Sequence, residues 1–279
     1  MDLCAVASGV QLGPDGIWIS PAVSAISYPE EDNNICFAVE DGSFWFAHRN
    51  QVIVSVVRRF PPPGIFFDVG GGNGFVAKAL QDCGIDVVLV EPGKDGACNA
   101  RQRGVQHVMR CTLEDARFRP GAIAAIGLFD VVEHIENDRS YLSGIHSYLV
   151  PGGRVYLTVP AFRMLWSHED RDAGHFRRHT LSCLSSTLEG SGFAIEYATY
   201  FFSYLVLPIY FLRALPFSLG ISPRKDLKGR IDKDHRITNP LVQRVLARLN
   251  RGEIRSIGSG RRITIGASCL VVARKPVPE

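Results

Sequence analysis

Ten residues limit what this chain can fold into: Ile65-Phe66-Phe67-Asp68-Val69-Gly70-Gly71-Gly72-Asn73-Gly74. An apolar run rich in β-branched and aromatic residues meets an acid, and four glycines follow within five positions. Val76, Ala79 and Leu80 then fall at helical spacing. The pattern predicts a buried parallel strand, a tight turn and the start of a helix. Glycines there let the backbone take positive φ and let a ligand lie against the main chain. The unpaired N–H groups of the helix start face that ligand. A dinucleotide fingerprint needs a glycine at the sixth position from Gly70, and Phe75 stands there. An acid at the strand end also repels a pyrophosphate, whereas it suits a ligand carrying an ammonium group.

A second apolar strand, Val87 to Val90, ends in Glu91, 17 residues after Gly74. A carboxylate at that place can accept from both hydroxyls of a ribose. Elements go on alternating along the chain. A helix spans 94–103, a short strand lies at 107–109 and a fourth strand at 122–128. A helix over 138–149, the turn Pro151-Gly152-Gly153, and a strand over 154–160 follow. Near-continuous apolar strands separated by helices predict a doubly wound, mostly parallel α/β sheet.

The Asp-x-Gly-x-Gly-x-Gly loop resembles motif I of the class I S-adenosylmethionine (SAM) methyltransferases. The resemblance extends over residues 44–273. It implies a Rossmann-like seven-stranded sheet, SAM as cofactor, and transfer of its methyl group to a small-molecule acceptor. Asp68, Gly70, Gly72 and Gly74 would hold the methionine end and Glu91 the ribose. Thr112 and Leu113 would lie at the adenine edge, although many members carry Asp where Thr112 stands. Phe129-Asp130-Val131-Val132-Glu133-His134 is similar to the Asp-x-x-Glu-His segment after strand four, which places Phe129 and Asp130 beside the cofactor and makes His134 a candidate base. Ser43-Phe44-Trp45-Phe46 through Arg49 resembles the entrance helix of a bacterial branch, lying over the cofactor. Residues 166–180 resemble that branch's Trp-Ser-x-x-Asp-x-x-x-Gly-His-x-Arg-Arg-Tyr segment, with His179 in the tyrosine place.

That loop crowds histidines, acids and arginines after strand five, at the edge where open α/β sheets bind ligands. Trp166, His168, Arg177 and Arg178 are its candidate substrate contacts, and His175 the favoured general base. A paired arginine suits an anionic acceptor, or equally holds the loop together through Asp170 and Asp172. The acceptor is therefore expected to be anionic, or lipid- or sugar-linked. Residues 201–215 are strongly apolar, too short to span a bilayer, and interrupted by Pro208. They read as a lid over the pocket, or as a surface meeting a membrane or a lipid-linked substrate. Residues 223–235 read as a mobile charged loop, 239–250 as an amphipathic helix, and 266–273 as a last, antiparallel strand.

Residues 1–40 read as an N-terminal extension outside the central sheet, with 30–34 a polar loop. Residues 41–279 form the methyltransferase domain, with 201–265 a helical lid insertion before the last strand. A net charge of +3 without a long basic run gives no case for nucleic acid. Seven scattered cysteines show no metal spacing and fit reduced thiols; with no signal peptide evident, they point to the cytoplasm. No metal motif is visible, and the oligomeric state is not readable. Two other classes share such a sheet: a nicotinamide oxidoreductase, which Phe75 disfavours, and a non-catalytic SAM-binding module, which the charged loop disfavours.

Overall fold

The computed structural model describes residues 3–22, 30–221 and 239–278. Nine strands form one sheet: β1 (Gln11–Leu12), β2 (Ile17–Ile19), β3 (Phe66–Val69), β4 (Val87–Val90), β5 (His107–Arg110), β6 (Ile123–Phe129), β7 (Leu149–Pro160), β8 (Ala194–Phe201) and β9 (Ser268–Arg274). Their order is β1-β2-β5-β4-β3-β6-β7-β9-β8. Strands β2 to β7 run parallel to one another, β1 is antiparallel to β2, and β9 is antiparallel to both β7 and β8. The doubly wound sheet and its late antiparallel strand are as expected. The order reverses beside β3, between β4 and β6, and this is where open α/β sheets place their ligands.

Two strands more than the expected seven come from the N-terminus. Residues 17–19 pair parallel with β5 and continue the sheet, so the extension joins it after all. The physical reason is edge protection: the buried, apolar β5 would otherwise expose a row of backbone groups. The expected polar loop at 30–34 lies within α1 (Glu30–Glu40), which packs on α4 (Lys94–Gln102). The entrance helix, α2 (Phe44–Arg59), is capped by Ser43, whose hydroxyl accepts from the Phe46 amide at 3.3 Å. Pro61-Pro62-Pro63 ends it, lacking the amides a further turn needs. Helix α3 (Phe75–Asp82) follows the glycine loop, α5 (Leu113–Ala116) follows β5, and α6 (Asp138–Tyr148) precedes β7. Pro151-Gly152-Gly153 does not interrupt β7; it is absorbed as an irregularity in the pairing with β6.

Between β7 and β8 lie α7 (His168–Asp172) and α8 (Leu181–Gly190). The apolar stretch expected as a lid forms one helical segment: α9 (Val206–Ile209), a π-helical turn (Tyr210–Ala214) and α10 (Leu215–Ser218). Phe201 belongs to β8 rather than to the lid. Pro208 cannot donate the amide bond that α-helical winding requires, and the π turn follows directly. Helix α11 (Pro240–Gly258) reaches eight residues beyond the expected 250 and packs on α2. The charged stretch 223–235 lies outside the described residues. The core is double, one apolar layer on each face of the sheet, as parallel strands buried on both sides require.

Candidate active site

A cavity of about 1100 Å³ opens along the carboxyl ends of β3, β4, β6 and β7. The glycine loop forms its floor. Gly70 and Gly72 have φ of 68° and 53°, and a side chain on Gly71 would sit 2.3 Å from Leu89 Cδ1 and 2.6 Å from Asp68 Oδ2. The backbone is therefore as close to the strand ends as a chain can come. Gly74 differs from expectation. It does not line the cavity; a Cβ there would meet Ala100 and Val105 at 2.8 Å, so this glycine serves helix packing.

Asp68 is fully buried, and neither carboxyl oxygen makes a well-formed hydrogen bond. Burial pushes its carboxyl up to about 7; the Arg49 charge and the Ala77 amide oppose that shift and the Glu91 charge adds to it. A buried carboxyl with unused acceptors, facing a cavity, fits a ligand ammonium. Glu91 accepts from the Gly72 amide at 2.9 Å through one oxygen and from the Gly93 amide at 2.8 Å through the other. Thr112 and Leu113 also line the cavity, with the Thr112 hydroxyl capping α5 at the Asp115 amide, 3.0 Å away.

Phe129 and Asp130 stand at the end of β6. Asp130 adopts a left-handed backbone, φ 58°, and is held by Thr158 Oγ1 at 3.0 Å and Arg49 Nε at 2.6 Å. The Arg49 guanidinium also donates to the Phe129 carbonyl at 2.9 Å. Trp45 lies under that guanidinium and stacks on Phe202, ring centroids 5.4 Å apart. The entrance helix thus lines the cavity, as its motif implies.

The loop 166–180 folds around Asp170. The carboxylate receives the Ser167 amide at 2.9 Å, His175 Nδ1 at 3.0 Å and Arg178 Nε at 2.7 Å. Burial alone would raise its carboxyl, but the His175 and Arg178 bonds hold it below the usual carboxylate range. An ionised carboxylate only accepts, so Nδ1 of His175 carries a proton. The Phe176 amide donates to the Glu133 carbonyl at 2.8 Å and brings the loop against the segment after β6. His134 and His175 meet edge to face at 4.8 Å between ring centres. Burial, then the neighbouring His175, pushes the His134 imidazole down to about 4.

His168 and Arg178 line the cavity, but Trp166 and Arg177 do not. Arg177 points the other way, donating to Asp138 Oδ2 at 3.1 Å and to the Glu136 carbonyl. Adjacent residues on an extended segment project to opposite sides, so the two arginines cannot share a target.

Sequence reasoning missed two contributors. Asn33, Cys36 and Glu40 of α1 close the cavity over the glycine loop. Asn73 Nδ2 donates to the Asn33 carbonyl at 2.9 Å and to Glu40 Oε1 at 3.2 Å, and Arg103 joins Glu40 Oε2 at 2.7 Å. Glu133 is fully buried, its carboxyl oxygens lack hydrogen bonds, and burial followed by the Asp130 charge pushes it well above the usual range. Glu133, His134 and His175 each offer a ligand atom within 4.8 Å of the others. The Asp-x-x-Glu-His segment held this signal for Glu133, but its burial was not readable.

Residues 45–198 match the family described as "Methyltransferase domain". A ubiquinone biosynthesis O-methyltransferase of Photobacterium profundum is 26% identical over 98 residues, 33% of this chain and 42% of that protein. The chain therefore spans less than half the length of that curated relative. Among solved structures, the methyltransferase complexed with the Haloferax volcanii Trm112 activator has a TM-score of 0.55 at 13% identity, covering 90% of this chain and 98% of that one. The Haemonchus contortus phosphoethanolamine N-methyltransferase 2 in complex with SAM has a TM-score of 0.50 at 18% identity, covering 81% and 52%. Structural likeness at such identities speaks for the fold alone. The family match covers more than half of the chain, which belongs to the class I SAM-dependent methyltransferases.

Proposed function

We propose that this chain is an enzyme that transfers the methyl group of SAM to a hydroxyl or amine of a small-molecule acceptor, with His175 as the base that Asp170 orients. One observation carries the reading. The His175–Asp170 pair, 3.0 Å apart, lines the same cavity as Asp68, the glycine loop and Glu91. SAM, when bound, supplies a methyl group on a sulfonium, so the protein's task is alignment, exclusion of water and removal of one proton. Asp68 takes the ammonium, the backbone of Gly70 to Gly72 lies along the methionine end, and Glu91 accepts from the ribose. Thr112 and Leu113 border the adenine. Phe129 and Asp130, fixed by Arg49, close the wall between cofactor and acceptor.

On the acceptor side, His175 Nε2 takes the acceptor's proton while Asp170 stabilises the resulting imidazolium. His134 keeps a neutral imidazole beside it and is too weak a base at neutral pH for the same task. His168 and Arg178 give the acceptor's head a polar and cationic surround, which suits an anionic group. The lid contributes Leu205, Ile209 and Leu212, an apolar wall for the rest of the molecule. Helix α1 of the N-terminal extension then completes the cofactor cavity, and residues 206–218 act as a lid beside it. Incubating the protein with methyl-labelled SAM and a panel of hydroxyl- and amine-bearing acceptors tests the reading. Transfer to an acid-bearing acceptor that His175→Ala abolishes supports it; release of the label only to water, in every case, overturns it.

Glu91→Ala is expected to weaken SAM binding by roughly 1–3 kcal/mol, the loss of charge-assisted hydrogen bonds. The Gly72 and Gly93 amides lose their acceptor as well, so the loop should loosen. Calorimetry on the folded variant checks this, and unchanged SAM affinity removes Glu91 from the ribose.

A second reading has one observation in its favour, the cluster Glu133, His134 and His175. Two imidazoles and a carboxylate are a donor set suited to a divalent transition metal. A turnover that survives exhaustive chelation excludes it, and a turnover restored by added Mn²⁺ or Zn²⁺ supports it over the metal-free base.

A further inference from the structure

The turn-by-turn order of α11 sorts its side chains into stripes. At 100° per residue, Leu241, Val242, Val245 and Leu249 fall within one arc, and Arg244, Arg248, Arg251 and Arg255 fall in a row beside it. The helix docks on the protein through a third arc. Glu253 and Ile257 are buried there, and the Asn250 side chain takes the Tyr204 hydroxyl. The apolar arc therefore faces away from the core, and Leu241 is 68% exposed. None of the four arginines makes an ion pair with a described residue.

The lid lies beside this helix. Glu253 of α11 accepts from the amides of Phe202 at 2.8 Å and Ser203 at 3.0 Å, which fixes the lid's start to the middle of α11. The lid's outer side exposes Leu207, Phe211 and Leu212, the last 76% exposed while also lining the cavity. Ile221 does the same. The apolar surface is thus continuous with the mouth of the site. Monomeric surfaces rarely leave such large apolar groups together without a partner.

We propose that the lid and the outer face of α11 form a docking surface for a lipid bilayer that carries anionic lipid. Charge complementarity selects this occupant. A helix with an apolar stripe flanked by arginines lies in the headgroup boundary, its arginines on lipid phosphates. A second copy of the chain fits less well, because a two-fold contact through this face sets one arginine row against the other. Among the described residues no helix is long and apolar enough to cross a membrane, so the contact is superficial. Docking places the cavity mouth at the lipid surface, where an amphiphilic acceptor enters past Leu212. That last consequence rests on the methyl-transfer reading of the cavity; the docking does not.

Co-sedimentation of the full chain with vesicles tests the docking. Phosphatidylcholine vesicles containing phosphatidylglycerol are expected to retain the protein, and retention should fall as salt rises. Arg244→Glu with Arg248→Glu should weaken partitioning at least about tenfold, since each surface basic residue is worth a several-fold factor. Leu241→Ser with Val245→Ser should also release it. All four side chains are exposed, so the variants should keep their melting temperature and their SAM affinity by calorimetry. Loss of SAM binding with retained vesicle binding would strike the cavity reading and leave the docking intact. Absence of binding to anionic vesicles, or binding unchanged in both double variants, overturns the docking. So does a dimer in sedimentation velocity that Arg244→Glu with Arg248→Glu strengthens and that excludes vesicles.

Discussion

His175→Ala is expected to slow turnover by about 10²–10⁴-fold, the usual range for a deleted general base. SAM affinity should stay within about twofold, since the side chain lies on the acceptor side of the cavity and no cofactor contact depends on it. The variant should fold, because the Asp170 carboxylate keeps the Ser167 amide and Arg178 as partners. Asp170→Asn probes the same device differently. An amide in place of the carboxylate no longer dictates which ring nitrogen of His175 carries the proton, so turnover should fall again with His175 still present. His134→Ala should cost less, since an imidazole pushed down to about 4 by burial and by His175 takes up no proton near neutrality. Initial-rate kinetics on the three variants, with calorimetry for SAM, separate these outcomes. Full turnover in His175→Ala would show that the acceptor loses its proton elsewhere or carries none to lose.

Asp68→Asn should weaken SAM binding by roughly 1.5–3 kcal/mol, about 10- to 150-fold, the loss of a hydrogen bond between opposite charges. The pH dependence is the sharper expectation. Burial raises the Asp68 carboxyl in the free protein to about 7, far above its value in an unfolded chain. A raised carboxyl binds its proton more tightly when folded, so the stability it contributes is present at low pH and lost as pH rises through 7. A ligand ammonium favours the ionised form and opposes that loss. SAM affinity and the rise in melting temperature on adding SAM should therefore both grow from about pH 5.5 to about 7.5. Asp68→Asn should flatten both curves. A wild-type profile that falls over this window, or an identical rise in the variant, would remove Asp68 from the ammonium.

The half of the cavity proposed for the cofactor was legible in the sequence because its determinants are local. A strand, a glycine turn and a helix start are consecutive, so Asp68 and the loop had to stand together. Glu91 follows at the distance one helix and one strand impose. The entrance helix carried its own cap in Ser43 and its apolar face in the spacing of Val52, Ile53, Val56 and Val57. Alternating strands and helices with near-continuous apolar runs left little freedom beyond a doubly wound sheet.

The acceptor half depended on packing between distant segments. Arg177 and Arg178 read alike as neighbours, but the extended loop sends one to Asp138 and the other to Asp170. Gly74 read as a ligand glycine, but it lies outside the cavity lining, where Ala100 of α4 and Val105 crowd its Cα. Burial of Glu133 follows from the loop closing over β6, an event no spacing encodes. Nor does a polar sequence such as 30–34 announce that it turns into a helix beside the glycine loop, since Asn33 and Asn34 bond to Asn73 and Asp95, 40 and 61 residues away. The sequence by itself determined the sheet, the glycine loop and the two strand-end acids, because hydrophobic period and backbone freedom act over a few residues. Only the tertiary structure decided which histidine has a carboxylate behind it, which arginine faces the cavity, and where the lid and α11 turn their apolar sides. Those depend on burial and on which charges meet, and both are properties of the folded chain.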